Sequence, residues 1–294
     1  MKQDFSPKQV ARAIGASESS LKRWCDQGVL KTTKTTGGHR RISLDAVFSF
    51  LRSQDRVLEN PEVLGLPVSS GSGERVVARA REKLLNAVQT GDGTVSRRIV
   101  LDLYAAGHSL LDICDNVIAS VFHQMGDMWE CGKVEIFQER HACEIASRIM
   151  TDLETVLPPP RPNAPLAMGG SISGDHYTIA SSMVEVNLRS LGWRVQRLGS
   201  NLPFESLAKS IQDRRPRLFW LSVNFIEDVD RFIREYNDFY ASRDSSTAVV
   251  IGGQAISRDI RSKISFSSHC ENMRQLVDFV NAISTTTQIP EGSN

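Results

Sequence analysis

Cations crowd the start of this chain, and their chemistry is that of gripping a polyanion. Residues 1–56 hold eleven lysines and arginines against five acids, a surplus of six, while the 294 residues together carry only +1; the remainder is therefore at −5. A guanidinium binds a phosphate or a guanine edge through two parallel hydrogen bonds, and an ammonium acts as a point charge on phosphate. A nucleic-acid partner is thus expected of the N-terminal segment and not of the rest. The side chains singled out are Ser19, Lys22 and Arg23, then Lys34, His39, Arg40 and Arg41. A solvated charged face is the alternative that charge alone leaves open.

The elements that must present these groups are short and well punctuated. Ser6-Pro7 is an N-cap with proline at the first helical position, and Val10, Ala11 and Ile14 follow at helical spacing until Gly15. Ser17 caps a second helix whose inward residues are Leu21, Trp24 and Cys25, leaving Ser19, Ser20, Lys22 and Arg23 outward. Two short helices joined by a glycine turn make a helix-turn-helix, whose second member enters the major groove. Leu30 to Ile42 then reads as a β-hairpin turned by Gly37-Gly38, with cations on both arms, and Ser43 caps a third helix. Trp24 is expected in the core.

The order helix, helix, basic wing, helix resembles the MerR family of DNA-binding domains. The stretch Leu21 to Trp24 matches that family's T-L-R-x-W signature, and Gly37-Gly38-His39-Arg40-Arg41 matches its G-G-x-R-R signature. The resemblance implies that Lys22 and Arg23 meet bases or phosphates. It also implies that His39, Arg40 and Arg41 hold the backbone of double-stranded operator DNA.

Length and composition suit two or three soluble domains: 40% of residues are apolar and 23% charged. The absence of a long uncharged apolar run and of a signal-peptide core predicts a cytoplasmic protein with no membrane partner. Five scattered cysteines without a C-x-x-C pair read as reduced thiols. The predicted organisation is multidomain α/β: a winged helix-turn-helix over 1–58, a linker over 59–73, a four-helix bundle over 74–157, a proline-rich spacer over 158–165, and a doubly wound parallel-sheet domain of Rossmann-like type over 166–294.

In the bundle, the period of 3.6 is interrupted by Gly91-Asp92-Gly93, Gly107 and Gly132. Trp129 and the run Glu139-Arg140-His141 resemble the CarH/LitR type of MerR regulator, in which such a bundle covers the upper face of cobalamin with a Trp, nine residues, then Glu-His. Trp129 and Glu139 are in register. Arg140 takes the histidine position and His141 follows it, turned by roughly 100° on a helix.

Beyond the prolines, apolar runs alternate with helical ones, as expected of a parallel sheet that binds ligands past the carboxyl ends of its strands. The loops to inspect are 171–177, 199–201, 222–224 and 252–253. Their sequences resemble those of cobalamin-binding domains. By that resemblance Ser222 hydrogen-bonds the nucleotide tail, and Gly252 and Gly253 let it lie against backbone. The departure is in the first loop. Aligning Asp175 with the acid of Asp-x-His-x-x-Gly puts Tyr177 at the cobalt-binding histidine and Ala180 at the glycine, with His176 one residue early. A phenol is a poor substitute for imidazole at neutral pH, so a metal contact by His176 or by Tyr177 both stay open. So do three ligand outcomes: cobalamin with its own base retained or held through His176, haem or a bilin, or no cofactor.

The resemblance implies a DNA-binding regulator whose C-terminal half senses a tetrapyrrole-like ligand, with light as a candidate signal. Ligand state would be coupled to a homo-oligomer, dimer or tetramer, and so to operator binding. The competing classes are a ligand-independent regulator using the sensor fold for protein contacts, and a corrinoid-dependent enzyme. No nucleophile-base pair or metal-ligand cluster in the sequence favours the enzyme.

Overall fold

A computed structural model describes residues 4–54, 56, 60–66 and 74–285. Two compact units divide the chain, Met1–Pro158 and Pro159–Asn294. Among the described residues no helix is long and apolar enough to cross a membrane.

The first unit opens with strand β1 (Asp4–Phe5) and helices α1 (Pro7–Ala13) and α2 (Glu18–Asp26). Ser6 and Gln9 form a capping box at α1, and the Ser17 side chain accepts the Ser20 amide at 3.1 Å to start α2. Strands β2 (Thr33–Lys34) and β3 (Arg40–Ser43) form the wing, pairing Thr33 with Arg41 and Lys34 with Arg40. β1 adds to the other edge of β3, giving the order β1-β3-β2. Helix α3 (Leu44–Ser53), capped by Ser43, closes a core that includes Val10, Ile14, Leu21, Ile42 and Val47. Within the stretch read as a linker, Pro61–Leu64 forms a 3-10 turn, and Leu64 and Leu66 are buried. The Asn60 amide and side chain donate to the Ala13 and Arg12 carbonyls at 2.9 and 2.8 Å, which seats this segment on α1. Pro67 and the serine-glycine run that follows it, within 67–73, lie outside the described residues.

The bundle comprises α4 (Glu74–Gln89), α5 (Gly93–Ala105), a third long helix, and α8 (Ile136–Val156). The third helix runs from α6 (Leu110–Asp112) through a π-helical stretch, Ile113–Ala119, into α7 (Ser120–Glu130). The π stretch keeps right-handed helical dihedrals at both joints, so the helix continues while its face rotates.

The second unit is built from β4 (Leu166–Ile172), α9 (Ile179–Ser190), β5 (Arg194–Leu202), α10 (Phe204–Arg214), β6 (Leu218–Ser222), α11 (Val229–Ser242), β7 (Ala248–Gly252), α12 (Arg258–Arg261), β8 (Ser268–His269) and α13 (Met273–Thr285). All five strands pair in parallel in the order β5-β4-β6-β7-β8. The connection reverses direction at β4 and β6, so their carboxyl ends form the switch point where doubly wound sheets take ligands. One face of the sheet packs residues such as Met168, Phe219 and Leu221 against α10 and α11. The other packs Ala167, Leu218 and Trp220 against Val184 and Leu188 of α9 and Leu276 and Val280 of α13.

Candidate functional site

The basic face of the helix-turn-helix forms as its sequence requires. Leu21 is fully buried, and the one-residue-to-100° rule then turns Ser19, Lys22 and Arg23 outward, where all three are exposed. Lys34 and His39 are exposed on the wing, and Arg41 is half-buried. The hairpin turn is closed by the Gly38 amide on the Thr35 carbonyl at 2.8 Å, with Gly38 at φ 79°. Arg40 has a different role from its neighbours. Its guanidinium binds Asp26 at the end of α2 at 2.5 Å, so it fixes the wing to the recognition helix. Trp24 lies against Phe50, ring centroids 5.0 Å apart, as a core residue should.

In the bundle, Trp129 is 49% exposed near the end of α7, and Ile136 and Phe137 are exposed at the start of α8. Glu139 accepts the Cys143 thiol at 3.2 Å and faces the Arg140 guanidinium at 3.6 Å. Burial, then the Glu139 carboxylate, pushes the Cys143 thiol up to about 12. His141 lies elsewhere. Two residues past Glu139 is about 200° around the helix, and its ring packs over Gly91 in the turn between α4 and α5. The structure therefore does not bring His141 to the side of Glu139.

Asp175 is the centre of the sheet unit's ligand-end loops, and it faces inward. Its carboxylate is buried, with Oδ1 accepting the Tyr177 amide at 2.9 Å and Oδ2 the Asn224 amide at 2.6 Å. Its carbonyl accepts the Ser171 hydroxyl at 2.8 Å and the Asn201 amide at 3.0 Å. Asn201, held at φ 58°, returns its Oδ1 to the Gly174 amide at 2.8 Å. One residue thus ties the loop after β4 to the end of β5 and to the loop after β6. Burial holds the carboxyl pKa above the ordinary range against the lowering effect of the amides.

The neighbouring side chains point the other way. His176 and Tyr177 are exposed, with Phe225 exposed beside Gly174 on the same rim. The carboxylate that would orient a metal-binding imidazole at His176 is engaged by backbone amides instead. The motif alignment pointed to this loop but carried no sign of that substitution. Phe225 was also missed, its only signal being its place directly after Asn224.

The positions that the resemblance assigns to the tail have partners within the protein. Ser222 accepts the Asn224 side-chain amide at 3.1 Å. A Cβ at Gly252 would stand 2.5 Å from the Cys270 carbonyl, and one at Gly253, at φ 110°, would overlap the Val223 carbonyl. Both glycines are therefore required by close approach of the protein's own backbone. The residues present do not fit a cobalamin whose base is replaced by a motif histidine and whose tail is inserted beside Ser222. Tyr177 and Phe225 leave an exposed aromatic rim at this end of the sheet.

Comparison with known proteins agrees with this layout. A helix-turn-helix domain model matches residues 5–55, and a B12 binding domain model matches residues 80–154. The chain thus joins a helix-turn-helix domain to a B12-binding-type module. Along nearly its whole length it is similar to the HTH-type transcriptional repressor CarA of Myxococcus xanthus, at 22% identity over 96% of this chain and 98% of the relative. Trimethylamine corrinoid protein 1 of Methanosarcina acetivorans is 21% identical over 72% of this chain and 98% of its own. The structure of the Methanosarcina barkeri monomethylamine corrinoid protein superposes with a TM-score of 0.59 at 17% identity, covering 70% of this chain and 99% of that one, a likeness of fold.

Proposed function

We propose that this protein is a DNA-binding transcriptional regulator whose second half senses a tetrapyrrole-like ligand. The observation that carries the reading is the joining, in one chain, of an exposed basic recognition helix and wing to a B12-binding-type bundle and a Rossmann-like sheet. Similarity to a protein named a transcriptional repressor favours repression. Lys22, Arg23, Lys34, His39 and Arg41 contact the operator, with Ser19 at the groove and Arg40 positioning the wing. Within the sheet unit, His176, Tyr177 and Phe225 are the side chains assigned to the ligand; within the bundle, Trp129 and Glu139 are the positions that the family resemblance assigns to ligand binding.

Regulation is a population shift: a ligand favours one oligomeric arrangement, and only some arrangements space two recognition helices by whole turns of DNA. A dimer or tetramer in the cytoplasm, and light as a signal for release, belong to the same reading. Methyl transfer with a corrinoid is the runner-up, favoured by similarity to the methylamine corrinoid proteins, whereas the helix-turn-helix favours regulation. A ligand-independent regulator is favoured by the partners that the positions assigned to the tail have within the protein.

The test is selection of genomic duplexes by the purified full-length chain at low salt, followed by titration with and without hydroxocobalamin, haemin and biliverdin. The expected result is a specific duplex whose affinity changes at least fivefold with one pigment. Failure to select any duplex would overturn the regulator reading, and selection unaffected by every pigment would overturn the sensing.

A further inference from the structure

We infer that the sheet unit takes its tetrapyrrole without admitting a nucleotide tail, because the Trp220 indole fills the seat such a tail would need between the sheet and helices α9 and α13. The inference rests on the tetrapyrrole-sensing reading and concerns which ligands that site accepts.

Side chains along β6 alternate between the two faces of the sheet. Phe219 and Leu221 enter the core beneath α10 and α11, while Leu218 and Trp220 enter the core beneath α9 and α13. Ser222 lies two residues past Trp220, hence on the same face. The register sets Ser222 beside Gly252 and Trp220 beside Val250 on one side and Gly169 on the other. The indole therefore lies directly beneath Ser222 and the Gly252-Gly253 pair, the positions that the family resemblance assigns to the tail.

The indole is held there. Trp220 is 2% exposed, and its Nε1 donates to the Ser181 hydroxyl in the first turn of α9 at 3.2 Å. Gly169 faces it across the strands with no room for a side chain, since a Cβ there would overlap both the ring and the Trp220 carbonyl. The base of cobalamin's tail is a benzimidazole, a fused bicyclic ring about the size of an indole. Interiors are close-packed, so a second bicycle enters only if the first leaves. The chain supplies its own bicyclic aromatic where a cofactor's would go. What remains available is the exposed rim of His176, Tyr177 and Phe225, which meets a macrocycle from one side and makes no demand on a tail.

The shared chemistry is a tetrapyrrole ring bound by its face, whether a corrinoid with its base outside the sheet, a haem or a bilin. The decisive experiment measures binding of hydroxocobalamin and of dicyanocobinamide, a corrinoid without the nucleotide, to the full-length chain by visible spectroscopy, with haemin and biliverdin as further arms. The wild type is expected to bind the two corrinoids within threefold of each other, or to bind haemin or biliverdin at least tenfold more tightly than either. Trp220→Ala opens the seat and is expected to shift the cobalamin-to-cobinamide ratio at least tenfold toward cobalamin. Should that variant fold poorly, Trp220→Leu opens less space and is expected to shift the ratio in the same direction. A wild type that binds cobalamin tenfold or more above cobinamide would overturn the inference while leaving tetrapyrrole sensing in place. A chain that binds none of the four probes, in wild-type or variant form, overturns the sensing reading and this inference with it.

Discussion

The Arg52 guanidinium carbon lies 3.4 Å from the centroid of the Tyr104 ring, joining the third helix of the helix-turn-helix to the second helix of the bundle. Phe48, one turn earlier on α3, meets the same ring edge-on at 5.9 Å and 80°. Residues four apart on a helix share a face, so Phe48 and Arg52 clasp Tyr104 between them. This is a direct contact between the third helix of the helix-turn-helix domain and the bundle.

A double-mutant cycle on Arg52→Ala and Tyr104→Leu is therefore expected to give a coupling of roughly 0.5–2 kcal/mol, the range between an exposed and a desolvated cation over an aromatic ring, since the Tyr104 ring is buried. Chemical denaturation of the full chain measures it. Additive effects within error would show that the pair does not join the two parts energetically.

On the DNA side, the exposed cations and the paired one are expected to behave differently. Lys22→Ala and Arg23→Ala should each weaken duplex binding and reduce the slope of log K against log salt by about 0.9 for each phosphate no longer neutralised. Arg40→Ala should weaken binding through the wing's position, because its partner is Asp26, and leave the slope nearly unchanged. A salt titration of all three variants against one operator separates the two behaviours; equal slopes for all of them would refute the assignment.

Replacing Asp175 by alanine removes the acceptor of two backbone amides, those of Tyr177 and Asn224. A buried unsatisfied donor costs about 1–3 kcal/mol, so a drop of roughly 2–5 kcal/mol in stability is expected from urea unfolding. The pH dependence has a definite sign. Because burial raises the folded-state pKa above the ordinary Asp value, this group's contribution to stability is present below that value and declines as pH rises through the raised one. Asp175→Ala should flatten the stability profile across that window, and an unaltered profile would contradict the burial.

Thiol chemistry reports on the bundle. Cys131 is exposed while Cys114 is buried, so alkylation at pH 8 should modify Cys131 first and spare Cys114 and Cys143. Glu139→Gln removes a carboxylate that disfavours the Cys143 thiolate and is expected to speed modification of that cysteine, read by mass spectrometry of the labelled peptide. The raised Cys143 pKa also means that the unfolded chain releases this proton first. Bundle stability should therefore decline as pH climbs from 9 toward 12.

Sequence by itself determined the local elements of this protein and their order. The caps at Ser6, Ser17 and Ser43, the stops at Gly15 and Gly28, and the alternation of apolar strands with helices beyond the prolines are all interactions within a few residues. Their spacing writes them directly into the chain. The short strands β1 and β8 were not legible, because two residues of pairing leave no period to detect.

Tertiary structure decided what the candidate sites can do. Asp175 lies 49 positions from Asn224, Trp220 lies 39 from Ser181, and Arg40 lies 14 from Asp26, and no local pattern encodes those encounters. They engage an expected ligand-orienting acid with the amides of Tyr177 and Asn224 and anchor the Trp220 indole to α9 through Ser181. They also pair one expected DNA cation, Arg40, with Asp26 of α2. The physical reason is common to all three: a polar or bulky side chain takes its role from whichever group the fold places within hydrogen-bonding or packing distance.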